Sequence, residues 1–338
     1  MATIYFATNR NPNHKTKPTG FDGRFSKEGL GDLRFGQAEV KAGKLEPATI
    51  EVLPNNEKAG SLALLQELRG KMKIDEADSL VFIHGFNVSF KEALESAGRM
   101  YDRYHALSGG KYTPNIFVFS WPSDGGIVSL SSGGSLSGYV NDRHDAEASG
   151  YAFARGLMKL AGFLRGTSTD EACRQKVNLI AHSMGNYVLR HALQQAKKIA
   201  GGKSLSRIFD NIILTAADED NDSFEHEHKL ALLPDLAQRI TAYFNNSDLA
   251  LTISDYAKGN PDRLGHDGPS RPHQIPAKVV LVDASSVVFG LTSDDYHSYH
   301  VYNDKVVTDM IAILQGESSE SEKLSRYYVP HANKFKLI

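Results

Sequence analysis

The sequence predicts an α/β fold, a mostly parallel central sheet with helices on both faces. Two observations carry this. Short, nearly continuous apolar runs alternate with stretches of helical spacing, and each apolar run closes on small or polar turn residues. Strands that read as unbroken apolar runs are buried on both faces, which is the condition of a parallel sheet covered by crossover helices.

The elements follow in order. The segment up to about Lys73 is polar and glycine-containing. Its strand candidates, "TIYFAT" and "TIEVLP", are expected to add edge strands to a single domain spanning 1–338. "SLVFIHGFN" (Ser79–Asn87) reads as a buried strand. "SFKEALESAGRMYDRYHAL" (Ser89–Leu107) follows with helical spacing, Ser89 and Glu92 standing at the positions of a capping box. "NIFVFSWPS" (Asn115–Ser123) is a strand, and "DAEASGYAFARGLMKLAGFLRG" (Asp145–Gly166) a helix that stops at glycine. "KVNLIAHS" (Lys176–Ser183) is a strand and "GNYVLRHALQQAKKIA" (Gly185–Ala200) a helix. "FDNIILTAADED", "RITAYFNNSD" and "AKVVLVDASS" supply three further strands. The Gly- and Ser-rich stretch from Ser123 to Arg143 reads either as a linker or as a flap, since it leaves the carboxyl end of a strand, where open α/β sheets bind ligands.

Bulk composition excludes several function classes. At 338 residues and 41% hydrophobic, the chain buries a sizeable core, and a net charge of −2 gives no electrostatic footprint for nucleic acid or an anionic membrane. A single cysteine, Cys173, rules out an intrachain disulfide and a Cys-based zinc site. No run of about 18 apolar residues is present, and the N-terminus lacks the pattern of a secretory signal. The expectation is a cytoplasmic protein without stable membrane insertion. H-E-x-x-H, C-x-x-C, P-loop and strand-following G-x-G-x-x-G patterns are all missing, so neither metal nor cofactor is called for.

The chemistry concentrates at "LIAHSMGNYVL". Ser183 sits between a strand and a helix, with small residues at Ala181 and Gly185. The pattern matches G-x-S-x-G, the nucleophile elbow, with alanine replacing the first glycine. A serine hydroxyl needs a base, an orienting carboxylate and donors for the developing oxyanion. "FIHGFN" supplies a loop whose backbone turns toward the serine. The N–H groups of Phe86 and Met184 are the expected oxyanion donors, and His84 is read as a structural histidine. The expected chain order is Ser, Asp, His. Asp248, just past a strand, is placed ahead of Asp218 and Asp283, each of which also suits ordinary turn chemistry. For the base, "DDYHSYHVYND" offers His297 and His300.

Taken together, "YFATNR", "VFIHGFNVSF", "FSWPSDG", "NDRHDAEAS", "LIAHSMGNYVLRHAL", "NIILTAADED", "NNSDLAL" and "HSYHVYNDKVVTDM" run in order from Ile4 to Met310. The chain resembles the α/β-hydrolase superfamily, and within it a branch catalogued as a domain of unknown function that includes esterases and lipases. The resemblance implies that "HSY" carries the base, favouring His297 over His300, and that "NSDLAL" carries the acid, Asp248. It departs in the glycine-rich insertion after "SWPSDG". The expectation is a serine carboxylic-ester hydrolase acting on a small-molecule ester through Ser183, His297 and Asp248. A lipase, thioesterase or amidase on the same residues stays open, as does a non-catalytic binding module, because fold does not fix function.

Overall fold

Along the chain the strands are β1 (Ala2–Thr8), β2 (Arg10–Pro12), β3 (Phe21–Phe25), β4 (Arg34–Lys41), β5 (Lys44–Leu45), β6 (Glu51–Val52), β7 (Ser79–Ile83), β8 (Asn115–Ser120), β9 (Val177–His182), β10 (Phe209–Thr215), β11 (Ala237–Phe244), β12 (Val279–Asp283), β13 (Arg326–Val329) and β14 (Lys334–Leu337). The longer helices are α1 (Ala63–Asp75), α2 (Phe90–Leu107), α3 (Leu136–Gly166), α4 (Gly185–Ile199) and α5 (Asp304–Gln315). The structure, a computed structural model, describes residues 1–123, 136–167, 174–252 and 262–338. Among them, one sheet runs in the order β13-β14-β12-β11-β10-β9-β7-β8-β1-β4-β5, with β6 also on β4. Every neighbouring pair from β14 through β1 is parallel, and the antiparallel strands lie at the two ends. The short hairpin β2–β3 stands apart.

The apolar strands do what their pattern requires. β9 sends Leu179 and Ala181 to one face, where they join side chains of α1, α3 and α4. Ile180 points the opposite way, into a second core with α2 and α5. β7 alternates likewise, Val81 and Ile83 against Leu80 and Phe82. Each such fully buried large side chain stabilises the fold by roughly 1.5–3 kcal/mol. Helix α2 begins where expected: Ser89 accepts from the Glu92 N–H, and the Glu92 carboxylate accepts from the Ser89 N–H.

Three expectations are corrected. "TIYFAT" is not an edge strand: β1 lies between β8 and β4, and Ile4, Tyr5 and Phe6 are all buried. The edge is formed instead by β4 to β6, and β4 escaped notice because Gln37 and Glu39 interrupt its apolar residues on the exposed side. Helix α3 starts at Leu136 rather than Asp145. Its first turns gain tertiary partners that local propensity does not register, Tyr139 bonding Asp218 and Asp142 bonding Ser123. The stretch read as either a linker or a flap is therefore helical from Leu136, while 124–135 falls outside the described residues.

Candidate active site

Because the strands are parallel, the segments leaving β7, β9, β11 and β12 emerge at one edge of the sheet. Ile83 of β7 is level with Ala181 of β9, and Thr215 of β10 with His182. The loop after β7, the elbow after β9 and the loops carrying Asp248 and His297 therefore converge.

Ser183 holds the left-handed conformation, φ +52°. A non-glycine residue there costs on the order of 1–3 kcal/mol and persists only when its surroundings fix it. Four bonds do so. Its N–H donates to Thr215 O at 3.0 Å, and its carbonyl accepts from the N–H groups of Asn186 (3.0 Å) and Asp218 (3.2 Å). The Asn186 side-chain amide donates to the same carbonyl and to Ala181 O, at 3.0 and 3.1 Å. Asn186 is fully buried, and its role was not foreseen from sequence. Two glycines permit the close approach. A Cβ on Gly185 would sit 2.5 Å from Ile83 O, and one on Gly85 would sit 2.8 Å from the Ser183 Cβ.

Asp248 and His297 meet. The Nδ1–H of His297 donates to Asp248 Oδ2 at 2.7 Å. The other carboxylate oxygen accepts from the N–H groups of Ala250 and Leu251. Asp248 is wholly buried, whereas the His297 side chain retains 14% exposure, so the imidazole is within reach of an incoming molecule. Burial pushes the His297 pKa down, but the Asp248 charge and hydrogen bond, with the more distant Asp218 charge, prevail and raise it above 6.5. The backbone of this loop is tied to the elbow, since His182 Nε2–H donates to His297 O at 3.2 Å.

The rival candidates are placed differently. Asp218 accepts from the Tyr139 hydroxyl at 2.6 Å and faces the Arg263 guanidinium at 3.5 Å. Asp283 pairs with Lys334 at 2.8 Å. His300 is buried against His182, ring centroids 4.1 Å apart, and neither of its nitrogens has a partner among the described residues. Burial, aided by His297, holds its pKa down to about 3.

The N–H groups of Phe86 and Met184 donate to no protein acceptor among the described residues. The loop carrying Phe86 is braced from three sides. Arg10, from the "YFATNR" motif, donates to Val88 O at 2.6 Å. Asp142 accepts from the Asn87 N–H at 3.3 Å and from Ser123, which in turn accepts from the Val88 N–H. His84 donates from Nδ1 to Gly85 O and accepts at Nε2 from the Trp121 N–H, which defines a neutral ring. Burial, with the Arg10 charge adding to it, lowers its pKa to about 3. The ring stacks on Trp121 at 5.3 Å, and the indole N–H donates to His84 O.

The acidic run "DEDND" (Asp218–Asp222) is an ion-pair network. Asp220 pairs with Arg263 and Lys229, and buried Glu219 pairs with Arg190. Among the described residues no group of three or more His, Cys, Asp or Glu is placed to hold a metal ion. No helix among them is long and apolar enough to cross a membrane.

No curated protein matches the chain. With its parallel sheet, strained serine turn and convergent loops, the chain belongs to the family described as alpha/beta hydrolase of unknown function (DUF900), whose profile matches residues 62–313.

Proposed function

We propose that the protein is a serine carboxylic-ester hydrolase with Ser183 as nucleophile, His297 as base and Asp248 as the orienting acid. The observations that carry this are the 2.7 Å bond from His297 Nδ1 to a buried carboxylate, a serine held at φ +52° on a strand-to-helix turn, and the bond from His182, the residue before that serine, to the His297 carbonyl. With Nδ1 committed as a donor, the imidazole has Nε2 left to take a proton. Ser183 Oγ attacks the ester carbonyl as His297 accepts its proton, and the negative charge gathers on the carbonyl oxygen. The unengaged N–H groups of Phe86 and Met184 are the donors for that charge. The tetrahedral intermediate collapses, His297 protonates the departing alcohol, and an acyl-Ser183 ester remains. Water then attacks the acyl carbon, its proton passing to His297, and the acid leaves with Ser183 restored. Asp248 holds the imidazole tautomer and stabilises the imidazolium in both halves.

Intact-mass labelling with a fluorophosphonate tests this on wild type, Ser183→Ala and His297→Ala. The expected result is one adduct on wild type, none on Ser183→Ala, and strongly slowed labelling of His297→Ala. Ser183→Ala also loses roughly 10⁴–10⁶-fold in kcat on p-nitrophenyl acetate. A folded wild type that forms no adduct overturns the reading in favour of a non-catalytic binding module. Rates across p-nitrophenyl esters of increasing chain length separate a carboxylesterase from a lipase, since the pocket rather than the triad sets acyl preference.

A further inference from the structure

The segment that carries His297 is held by two of its own carbonyls. Asn245, fully buried and three residues before Asp248, donates from Nδ2 to Tyr296 O at 2.9 Å. His182 donates from Nε2 to the next carbonyl, His297 O, at 3.2 Å. No backbone N–H donates to His297 O among the described residues. Consecutive carbonyls are thus fixed from two directions, one from the loop of the acid and one from the residue that precedes Ser183. His297 itself caps a single helical turn, Ser293–Tyr296. So short a helix has little stability of its own, and bonds from outside it decide where the imidazole stands.

A carbonyl can only accept, which fixes the His182 tautomer: Nε2 carries the proton and Nδ1 is bare. The ring packs among other rings. Its centroid lies 4.8 Å from that of His297 and 4.1 Å from that of His300, and His300 in turn lies 5.8 Å from Phe82. Both nitrogens of His300 are buried without a partner among the described residues, so its contact with His182 is one of packing. Gly85 leaves space for His182: a Cβ there would sit 3.2 Å from its Nδ1 and 3.3 Å from Ser183 Oγ. Burial first, then His300 and His297, holds the His182 pKa well below 6.5. This ring is therefore neutral beside His297, whose own pKa the Asp248 carboxylate raises.

From the two tethers we propose that His182 is a positioning residue for the base: its Nε2–H sets His297 against Ser183, as Asn245 sets it against Asp248. The role rests on the reading of Ser183 as nucleophile and His297 as base. His182 takes no proton in it and acts only through His297. A displacement of about 1 Å in a group so placed costs on the order of 10²-fold in rate.

Variants that differ in reach test it. The side-chain N–H of His182→Gln lies as many bonds from Cβ as Nε2 does in histidine, and that of His182→Asn one bond fewer. His182→Gln should stay within about tenfold of wild type in kcat on p-nitrophenyl acetate, whereas His182→Asn and His182→Leu should each lose about 10²-fold. KM should change little, and fluorophosphonate labelling should slow in step with kcat. The pH midpoint of kcat/KM should hold its wild-type value, because Asp248 still engages Nδ1. Thermal midpoints identify the folded variants, and His182→Asn carries the test should His182→Leu not fold. His300→Leu alters the packing beside His182 without removing the bond, and should turn over at close to the wild-type rate. Equal losses in His182→Gln and His182→Asn overturn the proposal, since reach then does not matter. A shifted pH midpoint in His182→Asn overturns it in favour of a direct electrostatic effect on His297. A loss in His300→Leu as large as that in His182→Asn assigns the effect to packing instead. If wild type labels and His182→Asn matches it in kcat, this role alone fails; a folded wild type that forms no adduct defeats the reading of Ser183 as well.

Discussion

Two carboxylates follow neighbouring strands, Asp218 after β10 and Asp248 after β11, and both are almost completely buried. Their surroundings divide them. Asp248 faces an imidazole and two backbone N–H groups, with no guanidinium or ammonium bonded to it among the described residues. Asp218 faces a tyrosine hydroxyl and the buried Arg263, and belongs to a network that includes Asp220, Lys229, Glu219 and Arg190. A carboxylate already balanced by a guanidinium has less charge to offer an imidazolium. The one left for His297 is suited to orienting a base, whereas the other holds a loop in place beside it.

The largest expected effect tests that division directly. Asp248→Asn should lower ester kcat by about 10⁴-fold through loss of the correct imidazole tautomer, while Asp218→Asn stays within about tenfold of wild type. Similar losses from the two would break the comparison, and steady-state kinetics on p-nitrophenyl acetate reads both. Next in size, Arg263→Ala should destabilise by about 3–5 kcal/mol, because it removes a counter-charge from buried Asp218 and from partly buried Asp220. Chemical denaturation measures this; the same method applied to Asp248→Asn should show a much smaller change. The smallest effect is in pH dependence. In the proposed mechanism the base works unprotonated, so kcat/KM should rise as pH passes through the His297 pKa, and the midpoint of that limb should lie above 6.5. In Asp248→Asn the residual activity should show the midpoint moved down, since burial then acts without the carboxylate charge. Asp218→Asn should move it in the same direction by less, because that charge acts from farther away.

Much of this was legible in the residues and some was not. The elbow was readable because its requirements are local: an apolar strand, small residues at Ala181 and Gly185, a helix period after. The α2 cap was readable for the same reason. The choice between Asp218 and Asp248 was not a local matter, since both are short acids at strand ends. What separates them is which loop His297 descends on, a contact across 49 residues. His297 and His300 differ by three positions, yet one reaches Asp248 and the other turns inward to His182, a difference in placement that their local sequence does not mark. Strand β1 was misplaced to an edge because its partner β4 alternates polar and apolar residues, and a strand's neighbours are not written in its own sequence. Arg10 and Asp142 brace the Phe86 loop from 78 and 55 residues away, and no spacing rule reports that.

The stacking of His84 on Trp121 gives the molecule an optical handle. Trp121 is the chain's single tryptophan, and it is completely buried. Its ring is parallel to an imidazole whose own backbone runs directly into Gly85 and Phe86. All indole emission therefore originates one residue-stack away from the loop that faces Ser183. Excited at the red edge of indole absorption, where the 14 tyrosines contribute little, an unlabelled sample reports on the surroundings of that loop, and a compound that settles against it announces itself as a change in colour or intensity before any bond is broken.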